Sequence, residues 1–587
     1  MAQDVKSQLE ALLKRALASV APAAADTPIL LERPRDASHG DFATNLAMQL
    51  ARALKKSPRD IAQQLLAELP ASPLVVKTEI AGAGFINFTL DPAAKVAVVK
   101  SVLESGEGFG RSALGGKQKI QVEFVSANPT GPLHVGHGRG AAYGASLSSL
   151  LSFAGWDVTR EYYVNDAGRQ MDILAVSTWM RYLDLHGVTV PFPPNCYQGD
   201  YVRDMAKQMR AAHGDKYVRP AEAILAGTPG LPAADRSDDE AKNQREQHLD
   251  ALIQNAKELL GPDWAYVHQH ALSEQLADCR SDLEEFGVHF EVWFSEKSLY
   301  DTGLVARCVD LLEKKGHLYV QDGAKWFKST AFGDEKDRVV QRENGLYTYF
   351  ASDIAYHLNK YERGFDKVIN IWGADHHGYI PRVKGAIQAL DLDADKLHVA
   401  LVQFAVLYRN GQKASMSTRS GEFVTLRELR KEVGNDACRF FYALRKSDQH
   451  LDFDLDLAKS QTNENPVYYI QYAHARVCSV INQWGGKDAD LLKADIGRLS
   501  SERELAIANQ LAQFPEVIDA AAKDLAPHQI AFFLKDLAGE FHAWYNADRM
   551  LVEDVALKDA RVALAAAVRQ VIRNGMSILG VSCPESM

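Results

Sequence analysis

The sequence has few cysteines, and their spacing excludes two classes of small scaffold. Only six of the 587 residues are cysteine, and no two of them form a Cys-x-x-Cys pair. A disulfide framework needs denser cysteines, and a zinc knuckle needs paired ones. The pattern indicates a protein of a reducing compartment, so we expect the cytoplasm and no structural metal site.

Long apolar segments are also lacking. No uninterrupted apolar run approaches the roughly 20 residues that a membrane-spanning helix needs. An alanine-rich stretch at residues 21–25 could pass for a signal-peptidase site, but Asp4, Glu10 and Arg15 are among the charges that precede it. Such charges would interrupt the apolar core of a secretory signal. The sequence therefore predicts neither a membrane span nor secretion.

A dominant basic charge is the third absence. Lys and Arg number 66 against 76 Asp and Glu, which gives a formal net charge of −10. Sequence-independent coating of nucleic acid needs a strongly basic surface, so the composition argues against that class of protein. It leaves room for specific binding of one folded RNA through local basic patches. The hydrophobic fraction of 47% indicates a soluble globular protein with large buried cores.

Three regions with different patterns follow one another along the chain. The first ~110 residues alternate amphipathic helices with short strands, and a glycine-rich segment at 106–116 follows them. A strand at 119–125, a helix at 136–154 and a strand at 156–163 then form a β-α-β pattern, which polar helices interrupt at 188–288. Strand patterns return at 318–327, 346–349 and 367–372, and the residues from Asn465 onward are almost entirely helical.

This order of patterns predicts an α/β fold in which a long insertion splits a Rossmann-type, nucleotide-binding parallel sheet. We expect a small α/β N-terminal domain at 1–112 and a catalytic domain at 113–450 with its insertion at about 188–288. A helical bundle follows at 451–587. No coiled-coil heptads are present, so we expect a monomer.

The strongest local motif is His134-Val135-Gly136-His137, which lies where a strand ends and a helix begins. A helix N-terminus offers free N–H groups and a positive dipole to phosphate. Gly136 would let a nucleotide approach the backbone, and the two histidines share one side of the first turn, where they could donate to phosphate oxygens. The alternative is that the histidines are solvated or bind a metal by chance.

These residues resemble a known family. His134–His137 is similar to the HIGH signature of class I aminoacyl-tRNA synthetases, and SANPTGPLHVGHGRG at 126–140 resembles its arginyl-tRNA synthetase form. Further blocks are similar in the same order: RDASHGDFATNLAMQL at 35–50, GFINF at 84–88, YYVNDAGRQ at 162–170, WGADHHGY at 372–379, LDFDLDLA at 451–458 and WYNADRMLVED at 544–554. The resemblance covers essentially the whole chain.

The resemblance implies a two-step reaction with ATP as a substrate. The carboxylate of L-arginine attacks the α-phosphate, and the arginyl group then passes to the terminal ribose 2′-OH of tRNA(Arg), which the activation step itself is expected to require. Mg²⁺ would accompany the phosphates. Catalysis would rest on positioning and on charge stabilisation by His134, Gly136, His137 and the helix N-terminus.

The family's binding residues can be carried onto matching positions. Those implied for arginine are Glu123, Asn128, Tyr349, Asp353 and His376. Those implied for ATP, besides the two histidines, are Gly373, Asp375, His377 and Met416. Tyr349 and Asp353 stand four apart, on one helical face, and an acidic side chain matches the charge of a guanidinium. Without the family, Asp353 would be interpreted as a capping or surface acid.

The second class I signature departs from its usual form, KMSKS. Here the loop reads KASMSTRSG at 413–421, with Ser415 and Thr418 at the two lysine positions. Lys413 and Arg419 flank the gap and could supply the missing positive charge as catalytic residues. An ordinary basic surface loop is the alternative.

The residues that contact tRNA are harder to predict from the sequence. In the helical bundle Tyr468, Tyr472 and Arg476 form an aromatic and basic stripe, with Tyr469 and His474 beside it, that could stack unpaired bases. Aromatic residues at this spacing also commonly form a core. Asn87 and Phe88 match the position where the family's N-terminal domain meets the tRNA.

Two other functions fit part of the pattern. A tRNA-independent nucleotidyltransferase also places HxGH at a strand–helix junction, but it would not need a helical bundle of ~125 residues. A catalytically inactive RNA-binding paralogue would explain the loop without lysines, but not the intact histidines with Tyr349 and Asp353.

Overall fold

The computed structural model describes residues 5–34, 36–233, 235–414 and 424–587. None of the helices in these ranges is long and apolar enough to cross a membrane. The observed architecture is α/β with a parallel sheet, a small N-terminal domain and a helical C-terminal bundle, as the sequence predicts.

The N-terminal domain packs helices on an antiparallel sheet of order β1-β2-β4-β3. Its strands are β1 Leu31–Glu32, β2 Phe42–Thr44, β3 Val75–Ala81 and β4 Phe85–Leu90, and its helices are α1 Val5–Val20, α2 Leu46–Leu54, α3 Pro58–Ala67, α4 Pro92–Val96 and α5 Val98–Ser105. Leu9, Leu13 and Leu17 of α1 are fully buried, which confirms the amphipathic pattern. Ser57 caps α3, because its Oγ accepts from the Asp60 N–H at 3.2 Å.

The central sheet is parallel and five-stranded, with the order β12-β11-β5-β6-β7. Its strands are β5 Lys119–Glu123, β6 Asp157–Val164, β7 Val292–Ser295, β11 Lys367–Gly373 and β12 Leu397–Val402. Helices α6 Val135–Phe153, α7 Arg169–Leu185, α12 Glu296–Asp301, α13 Leu304–Lys314, α14 Tyr349–Glu362 and α15 Ile380–Ala389 accompany these strands. The β5-α6-β6 and β11-α15-β12 units confirm the split sheet.

The long insertion between β6 and β7 is helical. It contains α8 Asp200–His213, α9 Ala221–Ile224, α10 Asp239–Leu260 and α11 Asp263–Glu285. These helices share a separate apolar core with α7, in which Trp179 and Leu252 are fully buried.

Two predicted strands differ from the observed structure. The pattern at 318–327 is two strands of a hairpin, β8 Leu318–Gln321 and β9 Ala324–Phe327. β9 also pairs with β10 Arg338–Gln341, which gives a separate antiparallel sheet of three strands. Asp322 and Gly323 turn the chain with φ of 50° and 76°, as an Asp-Gly hairpin turn requires. Residues 346–349 form no strand: Tyr347 makes one isolated bridge to Gln341 and Tyr349 opens α14.

A third small sheet and the helical bundle complete the chain. The sheet contains β13 Ala405–Arg409, β14 Gln412–Lys413 and β15 Leu451–Asp454, with α16 Leu426–Val433, α17 Asn435–Tyr442 and α18 Leu455–Lys459 around it. The bundle contains α19 Pro466–Trp484, α20 Asp488–Leu491, α21 Glu502–Lys523, α22 His528–Ala547 and α23 Val555–Leu579.

One buried arginine joins the bundle to the α/β core. Arg439 of α17 donates to the Leu579 carbonyl at the end of α23 (2.9 and 3.1 Å) and to the Phe286 carbonyl after the insertion (3.2 Å). One turn further along α17, the Tyr442 hydroxyl donates to the Val135 carbonyl at 3.2 Å. A single short helix therefore contacts the end of the bundle, the end of the insertion and the start of α6.

Candidate active site

The site lies where the order of the parallel strands reverses. β5 and β11 are neighbours, but the chain leaves β5 toward β6 on one side and leaves β11 toward β12 on the other. Such a switch point opens a crevice at the carboxyl ends of the strands, where α/β proteins bind ligands. His134–His137 follows β5, and the 3₁₀ turn Ala374–Tyr379 follows β11.

The backbone after β5 is strained, and this shortens the predicted strand by two residues. Val125 and Ser126 have φ of 67° and 43°, a region that a β-branched residue rarely adopts. The Ser126 Oγ donates to the Glu123 carboxylate at 3.1 Å and accepts from the Tyr163 N–H at 3.0 Å. The Tyr162 hydroxyl holds the Ala127 carbonyl at 2.9 Å. β6 thus fixes the turn that leads to α6.

The two signature histidines cap α6 reciprocally. The Gly136 N–H donates to His134 Nδ1 at 3.1 Å, and the His134 N–H donates to His137 Nδ1 at 3.3 Å. The rings stack with their centroids 3.8 Å apart. Since each Nδ1 accepts a hydrogen bond, the proton of each neutral ring is on Nε2.

Both histidines are held neutral. Burial lowers the pKa of His134, and burial together with the neighbouring His134 ring lowers the pKa of His137 to about 3. A neutral imidazole with its proton on Nε2 can still donate one hydrogen bond to an anion. These side chains can therefore act at neutral pH as dipolar donors rather than as cations.

The structure gives Gly136 an additional role. A Cβ at this position would lie 2.8 Å from the His134 ring and 3.3 Å from the ring of Phe404. Only glycine therefore fits beneath the capping imidazole. Phe404 is 49% exposed, so an aromatic surface that the sequence analysis did not single out lies beside the histidines.

Backbone hydrogen bonds connect the segment that follows the signature loop to this turn. The Val135 N–H donates to the Val424 carbonyl at 3.0 Å, and the Leu426 N–H donates to the Leu133 carbonyl at 2.8 Å. On the other side of the loop, Lys413 is exposed on β14. The predicted residues Met416 and Arg419 lie outside the described ranges.

Across the crevice, acidic side chains gather around Asp353 of α14. The Tyr379 hydroxyl donates to Asp353 Oδ2, and the Ser352 hydroxyl donates to Glu296 Oε1 at 3.0 Å. Burial, followed by the charges of Glu296 and Glu123, raises the pKa of Asp353 to about 7, against the Tyr379 bond and Lys360. Burial also raises the pKa of Glu296. We call Glu123, Glu296 and Asp353 the acidic pocket.

A chain of buried hydrogen bonds holds Glu123. Lys360 Nζ donates to Glu123 Oε2 at 2.5 Å and to Asn370 Oδ1 at 2.7 Å. The Asn370 amide contacts His357 Nε2 at 2.8 Å, and His357 Nδ1 contacts the Asp353 carbonyl at 2.7 Å. Burial lowers the pKa of His357 to about 3, so Lys360 is the cation of this network.

The other residues predicted for arginine are more exposed. Asn128 is exposed in the loop between β5 and α6. Tyr349 is 62% exposed, and its hydroxyl lies 3.0 Å from where Gly168 would carry a Cβ. His376 is exposed, with its Nε2 3.6 Å from Asp375 Oδ2. The assignment of these residues to arginine stays a prediction.

The turn after β11 carries the residues predicted for ATP. Asp375 and His377 are exposed. At Gly373 a Cβ would lie 2.4 Å from Asp375 Oδ1, so glycine allows the turn to fold back. Together with His134–His137, this turn Ala374–Tyr379 forms what we call the nucleotide half of the crevice.

The residues predicted to contact tRNA have mixed surroundings. Tyr468, Tyr472 and Arg476 are half-buried along α19, and the Arg476 guanidinium lies 4.4 Å from the centroid of the Tyr472 ring. Their neighbour His474 is buried beneath the Pro584 carbonyl, so it does not belong to the exposed stripe.

The prediction for Phe88 is wrong. Its ring is fully buried on the core face of β4, and Asn87 is 7% exposed. A residue without exposed surface cannot contact tRNA in this fold.

Several residues of the site were missed by the sequence analysis: Glu296, Lys360, Tyr379 and Phe404. Each is brought to the crevice by an element far along the chain from the histidine motif. For Tyr379 a signal existed, since it ends the block WGADHHGY. For Glu296 and Lys360 no local pattern distinguishes a buried charge from an ordinary helical surface charge.

Comparisons with known proteins indicate one and the same family for successive parts of the chain. Three family models match: arginyl tRNA synthetase N terminal domain at residues 7–90, tRNA synthetases class I (R), catalytic domain at 98–188 and 236–461, and DALR anticodon binding domain at 470–587. Two proteins described as arginine–tRNA ligase, from Dechloromonas aromatica and an Azoarcus species, are 82% and 74% identical. Each alignment covers 100% of both chains.

Solved structures agree as well. A putative arginyl-tRNA synthetase of Campylobacter jejuni is 31% identical with a TM-score of 0.73, over 85% of this chain and 100% of that one. The arginyl-tRNA synthetase of Thermus thermophilus has the same fold, with a TM-score of 0.72 at 22% identity over 99% and 100% of the two chains. With its acidic pocket facing a histidine-capped helix, the chain belongs to the arginyl-tRNA synthetases, a family of class I aminoacyl-tRNA synthetases.

Proposed function

We propose that this enzyme uses ATP to join L-arginine to tRNA(Arg) through an arginyl-adenylate. The observation that carries the proposal is the pairing of two unlike surfaces in one crevice. Buried carboxylates on one side suit a cationic side chain, and neutral donors at a helix N-terminus on the other side suit phosphate.

The acidic pocket would bind the guanidinium of arginine. A guanidinium presents a planar fork of donors and keeps its charge, so it needs carboxylate acceptors inside the protein. Asp353 and Glu296 would supply them, and the exposed ring of Tyr349 would cover the substrate. Glu123, Asn128 and His376 would contact its α-amino and carboxylate end.

In the nucleotide half, adenylate formation needs little proton transfer. A carboxylate oxygen of arginine attacks the α-phosphorus, the bond to the β-phosphate oxygen breaks, and pyrophosphate leaves with the electron pair. His134 and His137 would donate from Nε2 to phosphate oxygens as charge develops, and the first N–H groups of α6 would add their dipole. Gly373, Asp375 and His377, with Met416, would hold the nucleoside.

Additional positive charge would come from residues outside the nucleotide half. Lys413 and Arg419 would face the departing pyrophosphate in place of the absent signature lysines. Mg²⁺ would be bound mainly by the phosphate oxygens of ATP. Within the ranges that the structure describes, no group of three or more His, Cys, Asp or Glu side chains is arranged to hold a metal ion. The chemistry of Mg²⁺ there would be to neutralise the leaving group.

Transfer to tRNA would use the flanking domains. We propose that residues 1–112 contact the body of tRNA(Arg), with Asn87 at the edge of that surface, and that 451–587 bind the anticodon region through Tyr468, Tyr472 and Arg476. Residues 113–450 would form the catalytic domain with its insertion at 188–288. The 2′-OH of the terminal ribose would accept the arginyl group. We further propose a monomer that works in the cytoplasm.

The test is arginine-dependent exchange of labelled pyrophosphate into ATP, measured with and without tRNA(Arg). We expect exchange with arginine only, and a strong dependence on tRNA. Exchange that is independent of arginine and tRNA would favour a nucleotidyltransferase, and tRNA binding without exchange would favour an inactive paralogue.

A further inference from the structure

Tyr379 connects the two halves of the crevice. It is the last residue of the turn Ala374–Tyr379 in the nucleotide half, yet its hydroxyl donates to Asp353 Oδ2 in the acidic pocket. The ring is fixed by its neighbours: its centroid lies 5.8 Å from that of Trp372 and 6.3 Å from that of Phe350. The Arg382 guanidinium lies 4.8 Å from the ring.

The groups around Asp353 otherwise favour its uncharged form. Glu296 of α12 and Glu123 of β5 oppose a third negative charge, and burial adds to their effect, whereas Lys360 opposes them. The other groups that face this pair are Tyr163, Tyr300, Arg338 and Arg382. Burial raises the pKa of the Tyr379 phenol far above its usual value, so this hydroxyl stays protonated and stays a donor.

We propose that Tyr379 is a positioning residue that orients the Asp353 carboxylate and keeps it charged, ready to pair with the guanidinium of arginine. The inference rests on the proposed function, because it takes arginine as the ligand of Asp353. It assigns the end of the nucleotide-binding turn a second task in recognition of the amino acid.

The proposal makes arginine binding depend on pH in a defined direction. Arginine binds the ionised carboxylate, so affinity rises with pH up to the pKa of Asp353, about 7, and is flat above it. A hydrogen bond to a charged group stabilises it by a factor of roughly ten or more. Its loss should raise the pKa of Asp353 by about one unit or more.

The experiment is calorimetric titration of the full-length enzyme with L-arginine from pH 6 to 8.5, in two buffers of different ionisation enthalpy to count released protons. For Tyr379→Phe we expect affinity about tenfold below wild type at pH 6, and less than about twofold below it at pH 8.5. At pH 8 the variant should release about 0.5 proton per arginine bound, against about 0.1 for wild type. The affinity for ATP should stay within about twofold.

Tyr361→Phe is the matched control. Tyr361 lies on α14 with Asp353, but its hydroxyl donates to the Asp393 carbonyl at 2.7 Å. This variant should show the wild-type pH profile. If Tyr379→Phe matches wild type, or weakens arginine binding equally at every pH, the proposal is overturned and the hydroxyl is merely structural.

Two further variants separate the possible failures. Asp353→Asn tests the pocket itself: unchanged arginine affinity in this variant would contradict the proposed function, whatever Tyr379→Phe does. 3-Fluorotyrosine at position 379 keeps the ring and makes the hydroxyl a stronger donor. It should move the midpoint of arginine binding to lower pH, and a shift to higher pH would overturn the proposal even if Tyr379→Phe folds poorly.

Discussion

The nucleotide half and the acidic pocket face each other across one crevice, but they are built on opposite principles. The nucleotide half presents neutral imidazoles, a helix N-terminus and an exposed turn. The acidic pocket holds the buried carboxylates of Glu123 and Glu296 beside the half-buried Asp353, and the fully buried Lys360 pairs with Glu123. A solvated polyanion can be met by dipoles, whereas selection of one cationic side chain needs anions held out of water.

The difference has an energetic consequence. The dipoles at a helix end need no compensating charge when the ligand is absent. Buried carboxylates repel one another, and in the empty pocket the Tyr379 hydrogen bond to Asp353 and the Lys360–Glu123 pair offset that repulsion. We therefore expect substitutions in the pocket to act on binding of arginine, and substitutions at the histidines to act on the rate of adenylation.

Asp353→Asn should produce the largest effect. The guanidinium keeps its charge but loses its counter-charge, and breaking a buried pair costs about 3–5 kcal/mol, or roughly 200- to 5000-fold in arginine affinity. ATP affinity should change far less. Titration with each substrate separately checks this contrast, and an equal loss for both would mean that the two halves are not independent.

His134→Ala and His137→Ala should follow. Each removes one donor to the developing phosphate charge, worth about 2.7–4 kcal/mol, or roughly 100- to 1000-fold in the adenylation rate. Arginine affinity should stay close to wild type. Single-turnover formation of the adenylate gives the rate, and wild-type adenylation in the double variant would remove the histidines from the mechanism.

Arg419→Ala should have a smaller effect. If a cation must meet the departing pyrophosphate, tRNA-stimulated exchange should fall at least ~10-fold, equal to about 1.4 kcal/mol of barrier, with tRNA affinity nearly unchanged. Thr418→Lys in the Arg419→Ala background should restore activity. An inert Arg419→Ala would leave that charge to the histidines, Mg²⁺ and the helix dipole.

The sequence predicts the nucleotide half better than the acidic pocket, for a physical reason. His134, Gly136 and His137 act within one helical turn, so their spacing carries the information. Glu123, Glu296 and Asp353 meet only through tertiary packing of β5, α12 and α14, which no local periodicity records. The place of a buried charged side chain therefore depends on the whole fold rather than on a local sequence motif.

For two of the wrong predictions, the sequence itself contained a pattern that favours the observed structure. Ile86, Phe88 and Leu90 alternate along β4 as a strand's buried face does, and all three are buried; that pattern argued against an RNA contact for Phe88. The pattern at 318–327 suggests one strand, but the Asp322-Gly323 dipeptide within it is typical of a hairpin turn. The early end of β5 had no such signal, because Val125 is a strong strand former placed in a left-handed conformation.

The pairing of β5 with β11 also determines when the central sheet can be completed during synthesis of the chain. Ile120 pairs with Lys367, and 246 residues separate them in the chain. A ribosome adding ~5–20 residues per second needs roughly 10–50 s to bridge that interval. Throughout it, one edge of β5 has no strand to pair with, and the crevice has only one wall. The newborn enzyme must therefore keep an unpaired central strand from aggregating until its second half emerges.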